Sequence, residues 1–139
     1  MEKSNPPRTF RVFKPVGHTV IAYKTDADLQ AAVSLLTEAG FARSTFVEYT
    51  PTEMKIQVDS ELQTASPLAG FGYELDLVKA HGELAESGCS FLVVHASEEA
   101  QAESVATVAR ATHAVAAQHY GTFMIEDVIT LPVGNVAAP

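Results

Sequence analysis

The sequence predicts an α+β fold, a ferredoxin-like βαββαβ sandwich with a two-helix insertion between its second and third strands. Three observations carry this. Segments of helical period alternate with β-rich runs, the alternation repeats once in the strand, helix, Gly, strand order, over about 18–49 and again over about 91–129, and roughly forty residues of helical pattern separate the halves. A small parallel doubly wound α/β sheet satisfies the same alternation and is the alternative. Charge in the outer runs favours the first arrangement, because edge strands keep one partly wetted face.

Taken in chain order, residues 1–14 form a flexible, basic, Pro-containing arm. Lys3, Arg8, Arg11 and Lys14 against Glu2 give it a net +3, which leaves −11 on the other 125 residues. The single domain then runs over 15–131, and 132–139 is a C-terminal tail. Residues 18–23 (HTVIAY) are apolar at both parities, as a central strand covered on both faces requires. Thr25 with Asp28 reads as a capping box, Leu29, Val33 and Leu36 recur at helical spacing, and Gly40 ends that helix. An edge strand follows at 45–49.

The insertion covers about 51–87. Thr50-Pro51-Thr52-Glu53 opens its first helix, with Met54, Val58 and Leu62 on one side. Ser66-Pro67 opens a second that reaches Ser87, with Leu68, Phe71, Leu75, Val78 and Ala85 as its stripe. Gly88 then introduces a second central strand at 91–96 (FLVVHA). A long alanine-rich helix over 97–119 ends at Gly121, and 122–129 is the last edge strand. In this reading the first and third strands run parallel.

The passages His18 to Phe41 (strand, helix, Gly) and Tyr73 to Ala96 (helix, Gly, strand) resemble small uncharacterised bacterial proteins of the heat-induced or general-stress type. The resemblance covers most of 18–129. It implies a stress-associated role and no catalytic residues. Relatives of this type carry a Gly-rich hydrophobic segment between the halves, whereas here two amphipathic helices occupy that place, so no membrane association is expected.

Composition limits the function classes. An acidic body without a basic stripe argues against a nucleic-acid partner, because phosphates are neutralised by clustered Lys and Arg. No apolar run reaches membrane-spanning length and no signal-type h-region opens the chain, so a soluble cytoplasmic protein is expected. The single cysteine, Cys89, forbids an intrachain disulfide and reads as an inert apolar residue. Gly70-Phe71-Gly72 lacks both the preceding strand and the third glycine of a dinucleotide loop, and reads as small residues at a helix crossing.

The candidate ligand-binding residues are His18, Glu48, Glu126 and His95. His at the head of a central strand and Glu on two otherwise apolar strands are costly choices if buried, and such groups persist when they pair, bind something or meet water. His18, Glu48 and Glu126 are expected on one side of the sheet near one end, with His95 toward the other end. No catalytic residue, metal ligand set or cofactor is assigned. His113 reads as a surface residue and His119 as a helix-end residue on the core face. Apolar parity on both faces of the central strands, with Ala114 and Ala117 off the long helix's stripe, predicts a homo-oligomer, most simply a dimer. Two functions follow: a non-enzymatic stress-associated or regulatory module that binds a small ligand, or an enzyme of the dimeric α+β barrel type with its site on the sheet face.

Overall fold

Apolar residues at both parities of 18–23 and 90–95 require cover on both sides, and the structure supplies it with one helix pair on each face of a single sheet. The computed structural model describes residues 8–9, 12–13, 16–64, 73–122 and 124–131. Its main sheet has five strands in the order β4 (Phe46–Tyr49), β5 (Ser90–His95), β3 (His18–Tyr23), β6 (Ala116–Tyr120) and β7 (Ile125–Ile129). Every neighbouring pair is antiparallel. The protein is therefore a mixed α+β fold, and the parallel doubly wound alternative is excluded. The first and third strands of the repeat, β3 and β5, are likewise antiparallel rather than parallel. Within the stretch expected as an irregular arm, β1 (Arg8–Thr9) and β2 (Val12–Phe13) form a separate two-stranded ladder.

Helices α1 (Asp26–Glu38) and α4 (Glu99–Ala111) cover one face, where Leu29, Leu36, Val105 and Ala109 pack on Ile21, Tyr23, Phe46, Leu92 and Val94. Helices α2 (Pro51–Thr64) and α3 (Tyr73–Glu86) cover the other, with Met54, Val58, Leu77 and Val78 on Val20, Ala22, Tyr49, Phe91 and Val93. The alternate residues of β3 and β5 thus enter two different cores, which is why those strands show no polar parity. None of the helices among the described residues is long and apolar enough to cross a membrane.

Local signals read from the sequence act where expected at several elements. Thr25 accepts a hydrogen bond from the Asp28 amide at 3.1 Å, a cap worth about 1 kcal/mol. Thr50 and Glu53 exchange reciprocal bonds of 2.9 and 3.1 Å at the start of α2. Gly40 and Gly88 follow helices with φ of 99° and 102°. At the first, Phe41 N–H donates to the Leu36 carbonyl and Gly40 N–H to that of Thr37, both at 3.0 Å, closing a Schellman turn.

The long alanine-rich helix is shorter than its composition suggests. It stops at Ala111, and 116–120 is a strand on the open edge of β3. Thr112 ends the helix: its hydroxyl donates to the Val108 carbonyl at 2.7 Å and accepts from the Tyr23 hydroxyl at 2.8 Å. His113 then takes the left-handed conformation, φ 64°, that a glycine was expected to supply. Gly121 has no such role. It sits in the turn between β6 and β7, where its amide donates to the Met124 carbonyl at 2.9 Å. The last expected strand is consequently β7, a fifth strand added outside β6. The helix start at Ser66-Pro67, the Gly70-Phe71-Gly72 crossing, Phe123 and the tail 132–139 lie outside the described residues.

Candidate functional site

Antiparallel register places His18 at the head of β3 directly opposite His95 at the end of β5. Their rings meet edge-on, with centroids 4.9 Å apart and planes inclined by 61°. His95 is therefore beside His18 and not at the far end of the sheet, because β5 runs opposite to the direction assumed for it. His18 Nδ1 lies 3.0 Å from the Val16 carbonyl oxygen. An oxygen of that kind only accepts, so Nδ1 is the donor in this contact. Two backbone bonds pin this corner: Gly17 N–H donates to the Tyr120 carbonyl at 2.7 Å, and Ala96 N–H donates to that of Gly17 at 2.9 Å.

A cleft of about 420 Å³ opens at the same end of the sheet. One wall is the turn after α1, residues 39–42, with Thr45; the other is the start of α4 at Ala100, Gln101 and Ser104, and His95 contributes from β5. Its size falls in the range of small-molecule sites. The Schellman turn at Gly40 sets one wall and turns Phe41 back toward the α1/α4 core. A capping box between Glu98 and Gln101 sets the other, with Glu98 N–H donating to Gln101 Oε1 at 3.2 Å. That carboxylate already faces the positive end of the α4 dipole, so the arrangement disfavours an anion. The lining is otherwise neutral: an aromatic edge, small aliphatic groups, hydroxyls and an amide, with β5 reaching it at His95.

Glu48 and Glu126 lie elsewhere. Glu48 occupies the same parity as Phe46, on the α1/α4 face, and its carboxylate accepts from Gln30 at 2.9 Å and from Arg43 at 3.2 Å. Glu126 lies opposite His119 in the β6/β7 ladder. His18 shares the parity of Val20 and Ala22, on the α2/α3 face. The expected group of His18, Glu48 and Glu126 is thus not assembled: the two acids sit on the opposite face from His18, and on strands at opposite edges of the sheet. Glu126 belongs to the extra fifth strand, whose existence shifted its place by one ladder.

His119 is on β6 and not at a helix end. It shares a 2.8 Å hydrogen bond with the Thr19 hydroxyl. Burial pushes its imidazole below the usual range, with the Glu126 carboxylate pulling the other way. His113 is exposed, as expected of a surface residue, and lies 3.8 Å from Asp28. Cys89 is buried just before β5, 3.8 Å from the Ser87 hydroxyl.

One polar chain went unread in the sequence. His81 on α3, only 2 % exposed, approaches Gln118 Oε1 at 3.4 Å, and the Gln118 amide donates to Asp127 at 3.2 Å and to the Ile129 carbonyl at 3.4 Å. Phe91 meets the His81 ring edge-on at 5.6 Å. Burial holds this imidazole down to about 4, so it is neutral at pH 7. The chain ties α3 to β6 and β7, and the adjacent Gly82, which lets α2 approach, was its only local signal. Among the described residues no group of three or more His, Cys, Asp or Glu side chains is placed to hold a metal ion. Comparison with protein-family models, with curated proteins and with solved structures finds no match to this chain.

Proposed function

We propose that this chain is a non-enzymatic, small-ligand-binding regulatory module of ferredoxin-like topology, and that its ligand occupies the cleft between the α1 turn and the start of α4. The order β4-β5-β3-β6, with α1 and α4 on one face as the two crossovers, supports the topology, β7 being an addition and α2–α3 standing where a hairpin turn would otherwise be. The single observation that carries the binding reading is the cleft itself, about 420 Å³ with a neutral lining of mixed apolar and polar character that reaches β5 at His95. Such a lining suits a small neutral or cationic molecule with a flat apolar part to lie against Phe41.

The barrel-type enzyme is the weaker reading for a physical reason. A dimer of that kind closes one bare sheet face on another, and here α2 and α3 fill the face opposite α1 and α4. The same fact removes the ground on which a dimer was expected. Self-association now rests on exposed apolar side chains, Ile56 at 64 % and Met124 at 70 %, and light scattering tests it. The stress-associated role and cytoplasmic residence rest on the sequence passages 18–41 and 73–96 and on composition, and induction of the protein on heating the source cells tests the former.

A thermal-shift screen of neutral and cationic metabolites tests the cleft. A ligand at a hundred times its Kd adds about 2.7 kcal/mol, which is several degrees in Tm for a domain of this size. The expected outcome is a shift in the wild type that disappears in Ser104→Trp, whose side chain fills the cleft. A shift that survives this replacement contradicts the proposal, as does the absence of any shift.

A further inference from the structure

We infer that the ligand of this cleft is an organic monocation carrying a primary ammonium or guanidinium group on a short, flat apolar arm, an inference that rests on the cleft reading above. The first ground is a wall with acceptors to spare. The Schellman turn occupies the carbonyls of Leu35, Leu36 and Thr37 with the amides of Ala39, Phe41 and Gly40. The carbonyls of Glu38, Ala39 and Gly40 accept no hydrogen bond from any described residue, and Ala39 and Gly40 line the cleft. A helix directs its last carbonyls past its C-terminus, where about half a negative charge gathers. Ammonium and guanidinium groups only donate and so match such a wall, whereas a carboxylate or phosphate brings further acceptors.

Charge around the cleft has the same sign. Residues 38–45 and 95–104, which carry its two walls, include Glu38, Glu98, Glu99 and Glu103 against a single Lys or Arg, Arg43. That guanidinium is already engaged, 3.2 Å from Glu48 and 4.8 Å from the centre of the Phe46 ring. The last turn of α1 has no basic residue to offset its dipole, and the Glu98 side chain covers the positive end of the α4 dipole. Phe41, half-buried against the α1/α4 core, supplies an apolar surface for the arm of the ligand. Spare main-chain acceptors, net negative charge and an aromatic side chain thus meet at one cleft of about 420 Å³, roomy enough for such a molecule.

Amide NMR of the labelled full chain near pH 7.5 tests it with four matched compounds: phenethylamine, phenethyltrimethylammonium, 2-phenylethanol and 3-phenylpropanoate. Phenethylamine is expected to shift residues 39–42 and 100–104 and to bind about tenfold tighter than the alcohol, because hydrogen bonds to a charged donor are the stronger ones. The quaternary ion, charged but without an N–H, is expected to fall between them, and the carboxylate to leave the spectrum unchanged. Replacing two exposed carboxylates, in Glu99→Gln with Glu103→Gln, is expected to weaken the amine about two- to fivefold and to leave the alcohol unaffected. An alcohol that binds as tightly as the amine, with both lost in Ser104→Trp, overturns the inference and leaves the cleft reading standing. Amine shifts that survive Ser104→Trp overturn both. No shift with phenethylamine also overturns the inference, while any neutral screen hit that still moves residues 39–42 keeps the cleft reading.

Discussion

His81 makes stability depend on pH in a calculable way. The folded chain holds its imidazole down to about 4 from an ordinary value of 6.5, chiefly by burial, with the Gln118 hydrogen bond opposing. The unfolded chain therefore binds a proton near pH 6 that the folded chain refuses. Stability is full above about 6.5 and is lost as pH falls toward 4, by about 2 kcal/mol between pH 8 and pH 5 and on the order of 3 kcal/mol in all. Urea unfolding at pH 8, 6.5 and 5 measures this loss in the wild type and in His81→Gln, which keeps a donor for Gln118. The variant is expected to start less stable and to show about 2 kcal/mol less loss over that range. Parallel pH profiles for the two proteins would refute the reasoning, since they would place the titration elsewhere.

Three further outcomes are expected. A Cβ added at Gly82 lies 2.9 Å from Cγ1 of the buried, rotamer-restricted Val58. Overpacking of about 1–3 kcal/mol then outweighs the 0.5–1 kcal/mol or so that Ala gains over Gly in a helix, so Gly82→Ala should destabilise by about 1 kcal/mol in urea unfolding and become neutral or stabilising in a Val58→Ala background. His113→Gly should stabilise by about 1 kcal/mol by relieving the left-handed residue after α4, a gain readable in Tm. Gly40→Val and Gly88→Val should each cost on the order of 1 kcal/mol or more for the converse reason, and neutrality at both would mean that the helix ends are misplaced.

Local chemistry was legible in the sequence wherever neighbours within four residues decide it. The caps at Thr25 and Thr50, the turns at Gly40 and Gly88, the extent of β3 and the helical character of the 51–64 insertion all follow from such neighbours. Residues 112–120 resisted because alanine favours a helix in isolation, while pairing with β3 and the hydroxyl bond from Tyr23, 89 residues away, decide the matter. The same limit governs the site. The meeting of His18 and His95 depends on strand direction, and the misplaced Glu126 depended on counting strands. A register is set by contacts between distant segments, and neither composition nor periodicity carries it. His81 could be placed beside the insertion helix's stripe but not given a partner, because a histidine there looks the same whether it meets water or Gln118.

The proposed ligand site is the cleft at the His95 end of the sheet. Backbone amide NMR of the labelled chain, titrated with hits from a neutral and cationic metabolite screen, tests it most directly. Shifts are expected to cluster at residues 39–42, Thr45, His95 and 100–104, and to vanish in Ser104→Trp. Shifts confined to α2 and α3, or none with any hit, would contradict the account.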